Sequence, residues 1–132
     1  MAVQLHRARG DLEATGGAIV LIGQATPRHA AHFRRRLELE WPVLADRTRE
    51  SYRAAGAKVG TVGELLGPKA VTKGIRASRR SGVVQGRTIG HPAQLGGVLV
   101  IATDGAVVWS HMSEDVSDNA APADIVAALA RA

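Results

Sequence analysis

QLGGVLVIATDGAVVWSH, residues 94–111, is the stretch whose reading decides the fold. Residues 98–101 form an unbroken apolar run rich in β-branched side chains, Asp104-Gly105 makes a short hairpin turn, and residues 106–109 return as a second apolar run. Two such runs around an Asp-Gly pair predict a β-hairpin. The first run carries no polar alternation, the pattern of a strand covered on both faces. Gly96-Gly97 in front of it lets a second backbone, or a ligand, come close.

Outward from the hairpin, helix and strand signals alternate. Residues 2–15 predict a helix, with Leu5, Ala8 and Leu12 on one face and Gly16-Gly17 as its stop. AIVLIG, residues 18–23, is an apolar run of strand length. Thr26 caps a second helix with Pro27 at its first position, Ala30, Phe33 and Leu37 facing inward and Arg34, Arg35 and Glu38 left to solvent. Residues 41–46 read as a short strand with Pro42 in an edge position, and Asp46 caps a short helix through Tyr52 and Ala55 that Gly56 closes. Thr61 and Glu64 have capping-box spacing, which predicts a helix over 62–66 and a second from about 68 to 81 as an insertion. Residues 83–93 form a loop, and Pro122 opens a last helix with Asp124 in its first turn and Ile125, Val126 and Leu129 inward. The rhythm is that of an α/β protein, a single domain over residues 1–132 with the helical insertion at about 61–81.

Composition narrows the function classes. The 132 residues include no cysteine, so neither a disulfide nor a thiolate can form from them. No apolar run approaches the length of a membrane span and the first residues lack a secretory signal pattern, so a cytoplasmic protein with no membrane partner is expected. The net charge of +5 gathers at Arg34-Arg35-Arg36 and at Lys69, Lys73, Arg76, Arg79 and Arg80. No aromatic interleaves the second group, so base stacking and nucleic-acid binding are not supported, and these charges read as solvated helix faces.

Several constellations fall short of a site. His29 and His32 have a spacing that can bring two imidazoles to one metal, but no third ligand is near in sequence, and no metal is expected. Ser110, His111, Ser113, Glu114 and Asp115 supply the residue types of a hydrolytic triad without a nucleophile elbow, and neighbours on a strand point to opposite faces. Gly56, Gly60, Gly63 and Gly67 before Lys69 lack the phosphate-loop pattern. Gly23-Gln24-Ala25-Thr26 lacks the dinucleotide fingerprint, although an anion could settle at that helix start. No cofactor is called for.

Three segments resemble the peroxiredoxin-like branch of the thioredoxin-fold superfamily, the AhpC/TSA or redoxin-domain proteins. They are VQLHRARGDLEATGGAIVLIGQATP (3–27), WPVLADRTRESYRAAG (41–56) and GHPAQLGGVLVIATDGAVVWSHMSEDVSDN (90–119). The resemblance implies a thioredoxin-like mixed sheet flanked by helices. It also implies thiol-dependent antioxidant chemistry, carried by a cysteine motif at the end of a first, central strand. That strand would lie between the strands matched by residues 18–23 and 98–102. Residues 1–15 match the helix after the cysteines, so the expectation is a chain that begins beyond the thiol and lacks the N-terminal central strand. The usual proline before the strand facing the cysteines is not matched either: Gly96-Gly97 stands there, with Pro92 farther back. No catalytic residue carries over.

A sheet without its middle member either closes directly, 18–23 against 98–102, or leaves inner edges that favour a homodimer. The alternative function is a cysteine-free binding module. Its ligand cleft would lie between the loop before the hairpin and the start of the Thr26-capped helix, with Thr26, Arg87, Thr88, His91, Gly96 and Gly97 as its candidate residues.

Overall fold

The computed structural model describes residues 1–60, 91 and 93–132. The chain begins with α1 (Ala2–Arg7) and α2 (Arg9–Glu13), followed by β1 (Leu21–Gly23), α3 (Pro27–Arg36), β2 (Val43–Ala45) and α4 (Glu50–Ala54). The hairpin β3 (Gly97–Ile101) and β4 (Val107–Met112) and the last helix α5 (Pro122–Leu129) complete it. The expected capping box at Thr61 and Glu64 and the helical insertion at about 61–81 lie outside the described residues.

The strands form two separate pairs, β1 parallel to β2 and β3 antiparallel to β4. The expected single mixed sheet is therefore not continuous among the described residues, and direct closure of 18–23 onto 98–102 does not occur. Strand phase shows which way each edge looks. Leu21 donates its amide to the Pro42 carbonyl at 2.9 Å and Asp46 donates to Gly23 at 2.8 Å, so Leu21 and Gly23 face β2 while Val20 and Ile22 face away. Ser113 donates to the Gly96 carbonyl at 3.0 Å, which turns Gly96, Val98 and Val100 toward β4 and Gly97, Leu99 and Ile101 away. That outward edge is covered upstream, where Leu95 donates to Lys58 at 3.0 Å and Gly60 donates to Ala93 at 2.6 Å.

Both pairs rest one face on the same aliphatic core. Leu5, Leu12, Leu39, Trp41, Val100, Ala120, Ile125 and Ala128 form it, with Ile19, Leu21, Val43, Val98 and Trp109 packed against it. Leu12 is completely buried, and Val100 is 2% exposed. Trp41 ties the start of β2 to the N-terminal helices, its indole N–H donating to Glu13 Oε1 at 3.1 Å and its ring meeting His6 edge-on. The opposite face departs from the sequence expectation: Leu99 is 37% and Ile101 55% exposed, so the hairpin's first strand is covered on one side only. An apolar run without alternation records that both faces tolerate apolar side chains, not that both are covered.

Other differences are local. The helix expected over 2–15 breaks at Ala8 into two short helices, and Gly16 follows with φ +78° as the stop. The strands expected over 18–23 and 41–46 shorten to the three residues that find a ladder partner. Thr26 does cap α3, accepting from the His29 amide at 3.3 Å with Pro27 in the first turn. The hairpin turn has Gly105 at φ +90°, Ala102 exchanging bonds with Gly105 and Ala106, and Asp104 Oδ1 accepting from the Ala106 amide. This is a three-residue loop with glycine in the left-handed position, and the register shift beside it leaves Val108 out of the ladder.

Gly97 has a different reason to be glycine. It sits opposite Met112, and a β-carbon there would overlap Met112 Sδ and lie 2.8 Å from the His111 carbonyl oxygen. Gly97→Ala is expected to destabilise the fold by about 1–3 kcal/mol, the usual cost of overpacking against backbone, as read from urea unfolding midpoints. Gly96→Ala, where a β-carbon meets nothing within 4 Å, is the neutral control.

Candidate functional site

The sequence cleft centres on the end of β1, where the chain turns into α3. Gln24 occupies that turn and reaches across 67 residues of sequence. Its side-chain amide donates to the His91 carbonyl at 3.0 Å and its Oε1 accepts from the His91 amide at 2.9 Å. One side chain thereby makes the two bonds a neighbouring strand would make, fixing the end of the loop before the hairpin to the start of α3. Thr26, two residues on, is committed to its cap, with Oγ1 also 2.8 Å from His29 Nδ1.

Of the six cleft residues, Thr26 and His91 thus sit on segments that Gln24 joins. Gly96 and Gly97 are used by the hairpin itself: the Gly96 carbonyl accepts from Ser113, and the open side of Gly97 is filled by Met112. The close neighbour expected at the glycine pair is therefore a methionine of the paired strand. Arg87 and Thr88 lie outside the described residues.

Asp46 and Tyr52 brace the same end of the β1–β2 pair. Asp46 stands at the end of β2 and accepts from the Ser51 amide at 2.8 Å, the Ser51 hydroxyl at 2.5 Å and the Thr48 hydroxyl at 3.0 Å. The N-cap of α4 is Arg49, in the left-handed region at φ 61°, so Asp46 serves this helix from farther back than the sequence suggests. The Ser51 hydroxyl, with smaller help from the Ser51 amide and Thr48, holds the Asp46 carboxyl well below its ordinary range. The Tyr52 hydroxyl donates to the Ile22 carbonyl at 2.9 Å, on the edge of β1 that faces away from β2. Burial pushes the Tyr52 hydroxyl pKa up, and the nearby Asp46 charge adds to it.

A third polar centre is Gln94. Its amide donates to the Lys58 carbonyl at 3.1 Å and the Leu95 carbonyl at 3.0 Å, while Arg49 reaches its Oε1 at 3.5 Å. The bridging roles of Gln24, Gln94 and Tyr52 carry no sequence signal, because an isolated glutamine or tyrosine has no spacing pattern to mark its partner.

Among the described residues, the His29 and His32 pair and the 110–115 set are not arranged as sites, and Gly63, Gly67 and Lys69 lie outside the described residues. His29 and His32 are both exposed, and among the described residues no three His, Cys, Asp or Glu side chains could hold a metal ion. Ser110 is exposed and pairs with Leu99, whereas His111, one residue on, lies 3.0 Å from Asp118 Oδ1 and stacks on Trp109. Asp118 in turn accepts from the Glu114 amide at 2.7 Å, so the pair fastens the loop after β4 and presents no nucleophile. Among the described residues no helix is long and apolar enough to cross a membrane.

Compared with known proteins, residues 4–115 match a protein family described as AhpC/TSA antioxidant enzyme. No curated relative and no solved structure matches the chain.

The Asp46 network gives a pH dependence with a definite sign. A carboxyl whose pKa is lower in the folded than in the unfolded chain stabilises the fold fully above its ordinary value of 3.8, and that stabilisation is lost as the pH falls below it. Asp46→Asn is expected to lower stability at pH 7 and to flatten its fall between pH 5 and pH 2. Urea unfolding of both chains across that range checks it, and parallel curves would refute it.

Proposed function

The chain belongs to the AhpC/TSA antioxidant enzyme family, and from that premise we propose that it is a peroxiredoxin-like scaffold that carries out no thiol chemistry with the residues it has. The observation that carries this reading is the absence of cysteine from all 132 residues. Thiol peroxidases and disulfide reductases need an attacking thiolate, and no other side chain here supplies one. His111, the imidazole of the hairpin, lies 3.0 Å from Asp118 Oδ1 and stacks on Trp109.

The finer fold reading belongs to the same proposal. In it, β1 and β3 flank the place of the family's central strand, and these residues do not furnish that strand. Support comes from the two edges already described: Val20 and Ile22 turn away from β2, Leu99 and Ile101 turn away from β4, and all four side chains are exposed. Such edges are templates for pairing with another chain, so a homodimer is the expected state in a cytoplasmic setting.

A cysteine-free binding module is the second reading, and the Gln24–His91 bridge favours it. His91, tethered through both its amide and its carbonyl beside the start of a helix, is held in one position and so is preorganised for a ligand. In this reading Thr26, His91 and Gly96 border the ligand among the described residues.

Two measurements test these statements. The purified chain, given hydrogen peroxide with dithiothreitol or with a thioredoxin and its reductase, is expected to consume peroxide at the buffer's background rate. Turnover above background would overturn the reading. Size-exclusion chromatography with light scattering at micromolar concentration is expected to give a dimer mass, and a stable monomer that unfolds cooperatively would remove the edge-pairing proposal.

A further inference from the structure

α3 and β2 enclose a groove of about 590 Å³ that none of the preceding readings uses. Pro27, Ala31 and Arg35, spaced four apart as one stripe along α3, form one wall with Glu38 just beyond the helix end, and Val43, Leu44 and Ala45 form the other. Leu44 is 51% exposed, so the groove has an apolar floor open to solvent.

The backbone beside it is also open. The bonds from Leu21 to Pro42 and from Asp46 to Gly23 turn Pro42, Leu44 and Asp46 toward β1. Val43 and Ala45 therefore direct their amides and carbonyls outward, and among the described residues neither has a partner on that side. The edge is three residues long, the size of a short strand-addition site.

Charge selects the occupant. Arg34 is committed, its guanidinium donating to the Leu39 carbonyl at 3.1 Å and the Glu40 carbonyl at 3.0 Å. Arg28, Arg35 and Arg36 on α3 and Arg47 just beyond β2 are exposed and pair with no carboxylate among the described residues. Glu38 is the one acid lining the groove. We propose that the outer edge of β2, walled by α3, binds an extended acidic peptide segment by strand addition, with Arg35 meeting its carboxylates and Leu44 its apolar side chains. Backbone pairing along Val43 and Ala45 favours a peptide over a nucleic acid or a lipid surface, neither of which can extend a ladder.

The test uses the whole chain and a fluorescein-labelled peptide, Glu-Val-Glu-Val-Glu-Val, followed by anisotropy. Saturable binding that weakens with added salt is expected, with amide shifts at Val43 and Ala45 in nitrogen-15 spectra. Arg35→Glu is expected to weaken binding about ten-fold, as two lost or reversed exposed charge contacts would. Ala45→Pro removes the outward amide without touching a bond to β1 and is expected to abolish the Val43 shift. A fold check by circular dichroism accompanies each variant, and Arg34→Gln serves as a comparison that disturbs the α3 end but not the edge. Equal binding of Lys-Val-Lys-Val-Lys-Val, unchanged affinity in Arg35→Glu, or tighter binding of a single-stranded oligonucleotide or phosphatidylserine vesicles than of the acidic peptide would each overturn the proposal.

Discussion

Among the described residues no backbone hydrogen bond joins the β1–β2 pair directly to the β3–β4 pair, so side-chain packing, helped by the short backbone bridge from residues 58–60 to 93–95, holds the halves of this protein together. Leu12, Val100, Ile125 and Ala128 meet in one aliphatic cluster, and the β1–β2 pair reaches it through Ile19, Leu21, Val43 and the neighbouring Trp41. Burial of a side chain of that size contributes about 1.5–3 kcal/mol, without direction. A core of this kind fixes which faces meet but leaves the spacing between strands undetermined. The directional contacts that add spacing act at single points: the backbone bonds of Lys58 with Leu95 and Gly60 with Ala93, Gln24 to the His91 backbone, and Trp41 to Glu13.

That division explains why the edges and the candidate cleft belong to one problem. A continuous sheet would position the loop before β3 against the end of β1 by its own ladder. Here Gln24 supplies two ladder-like bonds in its place, and Tyr52 supplies an O–H donor to the outward carbonyl of Ile22. Polar side chains thus do at single points what a strand does along its length. They satisfy the backbone where they touch it and leave Val20, Leu99 and Ile101 exposed where they do not.

Elements whose signal is local were legible in the sequence. Thr26-Pro27 opens α3, Gly105 makes the hairpin turn, and Pro122 opens α5, because each depends on residues within one turn of chain. Strand lengths were not legible, since residues 18–20 are as apolar as Leu21–Gly23 and differ only in finding no partner. The double-sided burial expected for β3 failed for a related reason: Leu99 and Ile101 fit a covered face, but coverage depends on what packs there. Thr26 and His91 were named for the cleft from sequence and Gln24 was not, although Gln24 joins the two segments on which they sit. Family likeness was readable because long segments carry it, while the bridging glutamines are single residues whose role arises only after folding.

The placement of the two tryptophans has a practical consequence. Trp41 is buried against the N-terminal helices beside His6, and Trp109 is half-buried on the hairpin and stacked on His111. Each half of the molecule therefore contains its own fluorophore, and replacing either with phenylalanine isolates the emission of the other. Coincident denaturation curves from the two would mean that the contacts between the halves suffice for all-or-none cooperativity, and separated curves would resolve two independent melting units.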